Sequence, residues 1–80
     1  MKKYGPGRGK TPPKGTLVLL KEASDWVGGP DNARAQRECV GKTGEVDGWG
    51  YRTLFVDFDK HLCVEVAYHQ VEFPEADDPP

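Results

Sequence analysis

Two cysteines and two histidines are the side chains in this sequence with the widest chemical range. Thiolate and imidazole groups are preferred ligands of zinc, and two of these residues would share one face of a strand. Zinc sites usually show a tight pair such as Cys-x₂-Cys, which is missing here, and a disulfide between the two cysteines is a further alternative. We expect two free thiols and no metal or cofactor. The four residues are Cys39, His61, Cys63 and His69.

Two further clusters have residue types found in enzymes. Asp57 and Asp59 lie two residues apart with His61 nearby, a set that suits acid–base work or a hard metal ion. Charged residues are also common at strand ends, and the histidine breaks the calcium-loop spacing. Gly41-Lys42-Thr43 has the form of the end of a phosphate-binding loop, but Gln36 stands where that loop needs glycine. We therefore expect a protein that is not an enzyme.

The charge is distributed unevenly along the 80 residues, although the net charge is only −2. Residues 1–15 hold five basic side chains, no acidic one, four glycines and three prolines, which predicts a disordered basic arm. Such an arm either contacts the phosphates of a nucleic acid or serves as a solubilising tail. Residues 75–80 predict an acidic tail. The basic residues of the arm are Lys2, Lys3, Arg8, Lys10 and Lys14.

Between the arm and the tail, residues 16–74 show the two-residue alternation of β-strands. The pattern predicts five short strands, with a hairpin turn at Asp47–Gly50 and a long first loop over residues 22–38. Helix-forming residues 32–38 are too few for more than one or two turns in isolation. The sequence therefore predicts an all-β domain, closed or nearly closed into a barrel that removes sheet edges.

Five short stretches of the chain carry a family resemblance. They are similar to the SH3-like barrel of KOW-type modules, and they comprise Lys14–Leu20, Val40-Gly41-Lys42-Thr43-Gly44-Glu45-Val46, Leu54–Phe58, Val64-Glu65-Val66 and Val71-Glu72-Phe73. The core of that pattern is Gly-x-x-Gly-x-Val, matched here by Gly41, Gly44 and Val46. The resemblance implies a five-stranded SH3-like barrel that binds RNA, DNA or a protein and performs no chemistry.

The aromatic residues indicate where such a barrel would bind. In SH3-like barrels the long first loop and the following hairpin flank the binding groove, so the resemblance implies a groove with aromatic residues and an acidic rim. Tryptophan and tyrosine are enriched at binding hot spots, although either tryptophan could instead cover an open barrel end. The predicted partner-binding residues are Trp26, Trp49, Tyr51, Tyr68, Asp25 and Asp47, with Asp31 also on the rim.

An acidic aromatic groove suits a basic, proline-rich ligand, and the chain contains such a segment in Lys10–Lys14. That segment could fold back onto its own domain or bind the groove of a second copy. The leading prediction is thus a non-enzymatic adaptor that binds another protein. The alternative is a nucleic-acid-associated accessory protein that uses the basic arm.

A remote third reading comes from Val64–Tyr68, which is similar to a strand of small SH3-like oligomeric reductases, with Glu65 in place of a glutamine. The longest apolar run is Leu17–Leu20, far below the ~20 residues of a membrane span. No apolar stretch follows Met1-Lys2-Lys3 as in a signal peptide, so we expect a cytoplasmic protein.

Overall fold

The computed structural model describes Tyr4 and residues 11–74, and these form a five-stranded antiparallel sheet with one short α-helix. The strands lie side by side in the order β4 (Val64–Ala67), β3 (Thr53–Asp57), β2 (Thr43–Gly50), β1 (Leu17–Leu20) and β5 (Val71–Glu72), so the predicted five strands are confirmed. A 3₁₀ helix, Tyr68–Gln70, connects the last two strands. The α-helix, α1, spans Pro30–Cys39 between β1 and β2.

One face of the sheet encloses a single apolar core. Alternate residues of β1, β3 and β4 are buried, as the two-residue period of a half-buried strand requires. Every strand contributes to the same cluster, so the sheet curves around it. The buried core residues on the strands are Val18, Leu20, Val46, Leu54, Val56, Val64, Val66 and Val71.

The β2–β3 hairpin differs from the sequence prediction in the position of its turn. Asp47–Gly50 was expected to form the turn, but β2 continues through Gly50, which pairs with Thr53. The turn residues are Tyr51 and Arg52, and Arg52 supplies the positive φ of 60°. Asp47 instead falls where the register shifts between Val46 and Gly48, so the Asp-Gly pair forms a bulge. A bulge and a turn both favour glycine, which explains the displacement.

The helix α1 is the second departure from the predictions. Its ten residues exceed the one or two turns expected, and the domain is mostly β rather than all-β. Gly29, at φ 88°, precedes Pro30 at the first helical position, where proline's fixed φ favours a helix start. Ala33, Gln36 and Cys39 form the buried side of the helix. Tertiary packing therefore stabilises a helix that would be marginal alone. Over the described residues, no helix has the length and apolar character to cross a membrane.

The predicted barrel closure is not found in the described part of the chain. Strands β4 and β5 are the two edges of the sheet and do not pair with each other. The edge of β4 that pairs with no other strand is covered by α1 instead. Asn32 donates from Nδ2 to the Glu65 carbonyl and accepts from the Glu65 N–H, both at 2.8 Å. One side-chain amide thus occupies the two backbone groups that another strand would have used.

Two fully buried glutamines extend this contact into a network of amides. Gln36 donates to the Glu65 carbonyl at 2.6 Å and accepts from the Ser24 N–H at 2.7 Å. Gln70 donates to Gln36 Oε1 at 2.8 Å and accepts from the Ala67 N–H at 2.8 Å. The network joins the β1–α1 loop, the helix and the end of β4, where strand pairing does not close the sheet. Sequence reasoning missed it, although Asn32 and Gln36 are one helical turn apart.

Candidate functional site

The tip of the β2–β3 hairpin carries the first exposed aromatic residue of the candidate site. Tyr51 is 86% exposed, and its ring is not part of the core. The Arg52 guanidinium carbon lies 5.7 Å from the centre of that ring, within the range of a cation–π contact. A large side chain presented on a tight two-residue turn has little backbone freedom. It therefore loses less entropy on binding than it would in a long loop.

Trp49 lies next to the tip, one residue before the end of β2. It pairs across the sheet with the buried Leu54, yet it remains 45% exposed. Its indole Nε1–H donates a 2.7 Å hydrogen bond to the carbonyl of Pro12, a residue that is itself buried. Tryptophan has only a donor, so this carbonyl satisfies its one polar atom. The hydrogen bond between the indole and the proline carbonyl therefore joins β2 to the segment before β1.

The segment before β1 lies alongside β2, close to this contact. The Gly15 N–H donates to the Val46 carbonyl at 2.8 Å, and the Thr16 N–H and hydroxyl both donate to the Pro13 carbonyl. Residues 12–15 belong to the region predicted as a disordered arm, and here they lie against the domain. Tyr4 also contacts it, in an edge-to-face arrangement with Phe73 at 5.2 Å between ring centres. We call Pro12, Trp49 and Tyr51 the hairpin-tip surface.

Trp26 lies in the β1–α1 loop and is 94% exposed. The loop around it is held at both sides. Asp25 forms a 3.0 Å ion pair with Arg37 of α1, and Asn32 donates to the Val27 carbonyl at 2.8 Å. A tryptophan that remains almost fully exposed on an anchored loop is unusual, because burying such a ring would remove a large apolar area from water.

The other predicted site residues are dispersed. Tyr68 is only 7% exposed and belongs to the core, 6.3 Å from Phe73 between ring centres, and burial raises the pKa of its hydroxyl. Asp25 is engaged with Arg37, and Asp31 is exposed at the start of α1. Asp47 lies away from the tip, beside Cys63. The structure therefore brings Trp49 and Tyr51 together on one hairpin and places Tyr68 inside.

Asp47, Asp57 and Cys63 lie close together on the outer side of the sheet. Their ligand-type atoms all lie within 4.8 Å of one another, and Cys63 adopts a positive φ of 53°. Cys63 Sγ lies 3.5 Å from Asp47 Oδ2, and this hydrogen bond to the carboxylate is the main cause that raises the pKa of the thiol. The thiol is thus kept protonated, which makes it a weak nucleophile.

The zinc set considered from the sequence is not assembled. Within the described residues, the only group of three or more potential metal ligands is the one just named. Cys39 is the last residue of α1 and is buried, so desolvation raises the pKa of its thiol, and both cysteines are free. His61 instead lies 2.8 Å from Glu38, between Nε2 and Oε1. Asp59 is exposed and is not part of that group, so Asp57, Asp59 and His61, which the sequence analysis considered as an acid–base or metal set, do not form a group of potential metal ligands.

The basic residues of the arm are mostly outside the described residues. Lys14 is described and exposed, whereas Lys2, Lys3, Arg8 and Lys10 are not among the described residues, nor is the tail 75–80. Comparison with protein-family models, with curated proteins and with solved structures gives no match.

Proposed function

We propose that this protein is a non-enzymatic adaptor that binds another protein at the hairpin-tip surface. The observation that carries the proposal is the contact between the Trp49 indole and the Pro12 carbonyl, beside the exposed ring of Tyr51. The surface already holds one segment of this chain through the indole donor of Trp49. A polar donor beside an exposed aromatic ring is what a protein surface uses to recognise a peptide.

We further propose that the fold is of the SH3-like type, with α1 covering the β4 edge where the sheet does not close. The strand order β4-β3-β2-β1-β5 and the 3₁₀ helix before the last strand support this assignment. In such a fold the long first loop and the β2–β3 hairpin carry the binding residues. Trp26 and Tyr51, the two most exposed aromatic rings among the described residues, lie in these two connections.

The state of the cysteines supports an adaptor in a reducing compartment rather than an enzyme. Both thiols are free and their pKa values are raised, by burial at Cys39 and by the neighbouring Asp47 carboxylate at Cys63. A catalytic thiol needs a lowered pKa. Neither cysteine is prepared for that chemistry, and a cytoplasmic location suits two unpaired thiols.

A peptide-display selection tests the proposal. Wild-type protein is the target, and Tyr51→Ser is the counter-target. The side chain is 86% exposed, so its loss leaves the fold intact. Segments enriched on the wild type are expected to bind Tyr51→Ser at least 10-fold more weakly, a typical loss at a hot spot. Leu62→Ser is the matched control, because this exposed side chain lies in the β3–β4 loop at the opposite end of the strands.

Two results would contradict the proposal. In the first, the selected segments bind Tyr51→Ser with the same affinity as wild type and bind Leu62→Ser more weakly. The second is failure to enrich any segment, combined with oligonucleotide binding that survives physiological salt. That combination would favour the nucleic-acid reading.

A further inference from the structure

Helix α1 is attached to the sheet mainly by side-chain amides. Asn32 makes two hydrogen bonds to the Glu65 backbone, and Gln36 makes a third to the Glu65 carbonyl. Three residues of the helix are buried, and two of them, Ala33 and Cys39, have small side chains. Apolar burial stabilises in proportion to its area, so this helix face contributes less than a face of larger apolar side chains would. The attachment therefore depends on polar bonds, which water replaces when the helix moves away.

Two further contacts of the helix lie at the surface. Arg37 forms a 3.0 Å ion pair with Asp25 of the preceding loop, and Glu38 lies 2.8 Å from His61 of the β3–β4 loop. The side chains of both pairs are at least 31% exposed. Water and salt screen such pairs, so they add little to the attachment.

Glycines with positive φ stand at both ends of α1. Gly29, at 88°, directly precedes the helix, and Gly41, at 86°, follows Cys39 by two residues. Glycine adopts this region at little cost, and residues at the ends of elements commonly absorb the φ and ψ changes of a hinge. The helix can thus move as a unit while its own hydrogen bonds persist.

The sheet does not need α1 to hold β4. Strand β4 pairs with β3 over four positions, from Val64 to Ala67. Of the buried residues that form the core cluster in the described part of the chain, Cys39 alone comes from α1. Opening of the helix is therefore a local event, with a free energy below that of global unfolding.

The edge that α1 covers has the form of a site for strand pairing. A residue of an antiparallel pair exchanges both its N–H and its C=O with one opposite residue. Glu65 exchanges both with the Asn32 side-chain amide, which has the chemistry of a peptide group. Two residues further on, the Ala67 N–H is bound by Gln70 Oε1 at 2.8 Å. The backbone of an extended segment offers the same donors and acceptors.

We propose that α1 is a strap that opens about Gly29 and Gly41 while the sheet stays folded, and that the open form accepts an extended protein segment as a sixth strand beside β4. This edge is separate from the hairpin-tip surface, so the inference goes beyond the proposed function. The closed form protects the chain from unselective pairing at an exposed strand edge. The apparent affinity for a segment is reduced by the fraction of molecules that are open.

The Cys39 thiol measures the opening, because it is buried at the end of α1. Full-length protein is treated with iodoacetamide, and mass spectrometry follows the labelling of each thiol separately. The exposed Cys63 thiol reacts without opening and is the internal standard for the reagent. Asn32→Ala removes both side-chain bonds to Glu65, so it is expected to speed the labelling of Cys39 at least about 10-fold.

Val56→Ala is the matched control, because it weakens the sheet without touching the strap. Val56 is fully buried on β3, beyond β4 from the helix, and it stays buried when α1 opens. The change is expected to lower the urea midpoint by roughly 2 M and to leave the labelling of Cys39 unchanged. Faster labelling of Cys39 in Val56→Ala would overturn the strap, since the thiol would then be exposed only by global unfolding. This comparison with wild type decides the matter even if Asn32→Ala does not fold.

A peptide with the sequence of residues 52–58, Arg-Thr-Leu-Phe-Val-Asp-Phe, tests the sixth strand, because β3 already forms an antiparallel pair with β4. A peptide that binds the open form is expected to increase the labelling rate of Cys39 until it saturates. The control peptide has proline in place of the central phenylalanine, which interrupts pairing. A labelling rate that the peptide leaves unchanged, or that both peptides raise equally, would overturn the strand site. Neither result bears on Tyr51, so the proposed adaptor function is tested separately.

Discussion

Replacing Gln36 with leucine is expected to destabilise the domain by about 3 kcal/mol, from the loss of about 1 kcal/mol for each of three hydrogen bonds. Leucine is close to glutamine in size, so the change removes the amide without leaving a large cavity. The side chain is fully buried and makes its bonds to Glu65, Ser24 and Gln70. The substitution therefore tests the contribution of the hydrogen bonds separately from that of side-chain packing.

The three partners are not affected equally. The Glu65 carbonyl retains the bond from Asn32, and Gln70 Nε2 retains its bond to the Glu22 carbonyl at 3.0 Å. The Ser24 N–H is left without its acceptor, and an unsatisfied, partly buried donor alone costs about 1–3 kcal/mol. The total for a chain of 80 residues is about 4–12 kcal/mol. The substitution therefore removes a quarter or more of the stability.

Urea unfolding followed by far-ultraviolet circular dichroism measures this loss. With a slope of about 1 kcal/mol per molar urea, the midpoint is expected to fall by about 3 M. Arg34→Leu is the matched control, because Arg34 is exposed on the same helix. Its midpoint is expected to change by less than about 0.5 M. If Gln36→Leu lowers the free energy of unfolding by less than about 1 kcal/mol, which is the size expected of a single hydrogen bond, the claim that the network stabilises the domain is refuted.

Three further predictions concern the sheet and the cysteine cluster. Gly44→Ala is expected to cost about 2–3 kcal/mol by urea unfolding, since the new Cβ would lie 2.6 Å from a backbone oxygen of β3. Asn32→Ala is expected to speed hydrogen exchange at the β4 amide that it caps about 10-fold. Asp47→Asn is expected to lower the pKa of Cys63, because the hydrogen bond that raises it is weakened. Iodoacetamide at pH 8 should then modify the thiol faster.

Each of these changes has a matched control. Gly41→Ala meets open space at φ 86°, so it introduces backbone strain of about 1 kcal/mol without a clash and should cost less than Gly44→Ala. Asp31→Ala removes an exposed neighbour of Asn32 and should leave the β4 amide protected. Asp59→Asn removes a nearby charge that does not contact Cys63. Equal effects of change and control in any pair would contradict the corresponding contact.

The strands could be predicted from the sequence because their side chains alternate strictly. In β3 and β4, Leu54, Val56, Val64 and Val66 are separated by half-buried residues, and a two-residue period has only one way to face a core. The glycine pair was also informative. Gly44 lies where any side chain would meet β3, which explains why a glycine is needed at that point of β2.

The helix and the turn could not be predicted because tertiary contacts decide both. Residues 30–39 are too few to form a stable helix in isolation, and α1 forms because its buried side meets β4. Asp47-Gly48 has the chemistry of a turn, yet the same chemistry suits a bulge. Only the pairing partner distinguishes the two.

Part of the candidate surface could be identified from residue type, and part could not. Trp26 and Tyr51 were predicted at loop positions, and both rings are exposed. Tyr68 was chosen by the same reasoning, but it follows directly after β4 and turns into the core with Phe73. The Trp49–Pro12 contact joins residues 37 positions apart, and no local pattern reveals such a pair.

The most direct test of the central claim is an ¹H–¹⁵N spectrum of the full-length protein during titration with a protein segment selected on it. Trp49 and Trp26 each contribute one indole N–H signal, and the Trp49 indole N–H donates its hydrogen bond to the Pro12 carbonyl. The account predicts saturable shifts of the Trp49 indole and of the Tyr51 amide, with little change in residues of the β3–β4 loop. Shifts confined to that loop, or an unchanged Trp49 indole at saturation, would contradict the claim that the hairpin tip is the binding surface.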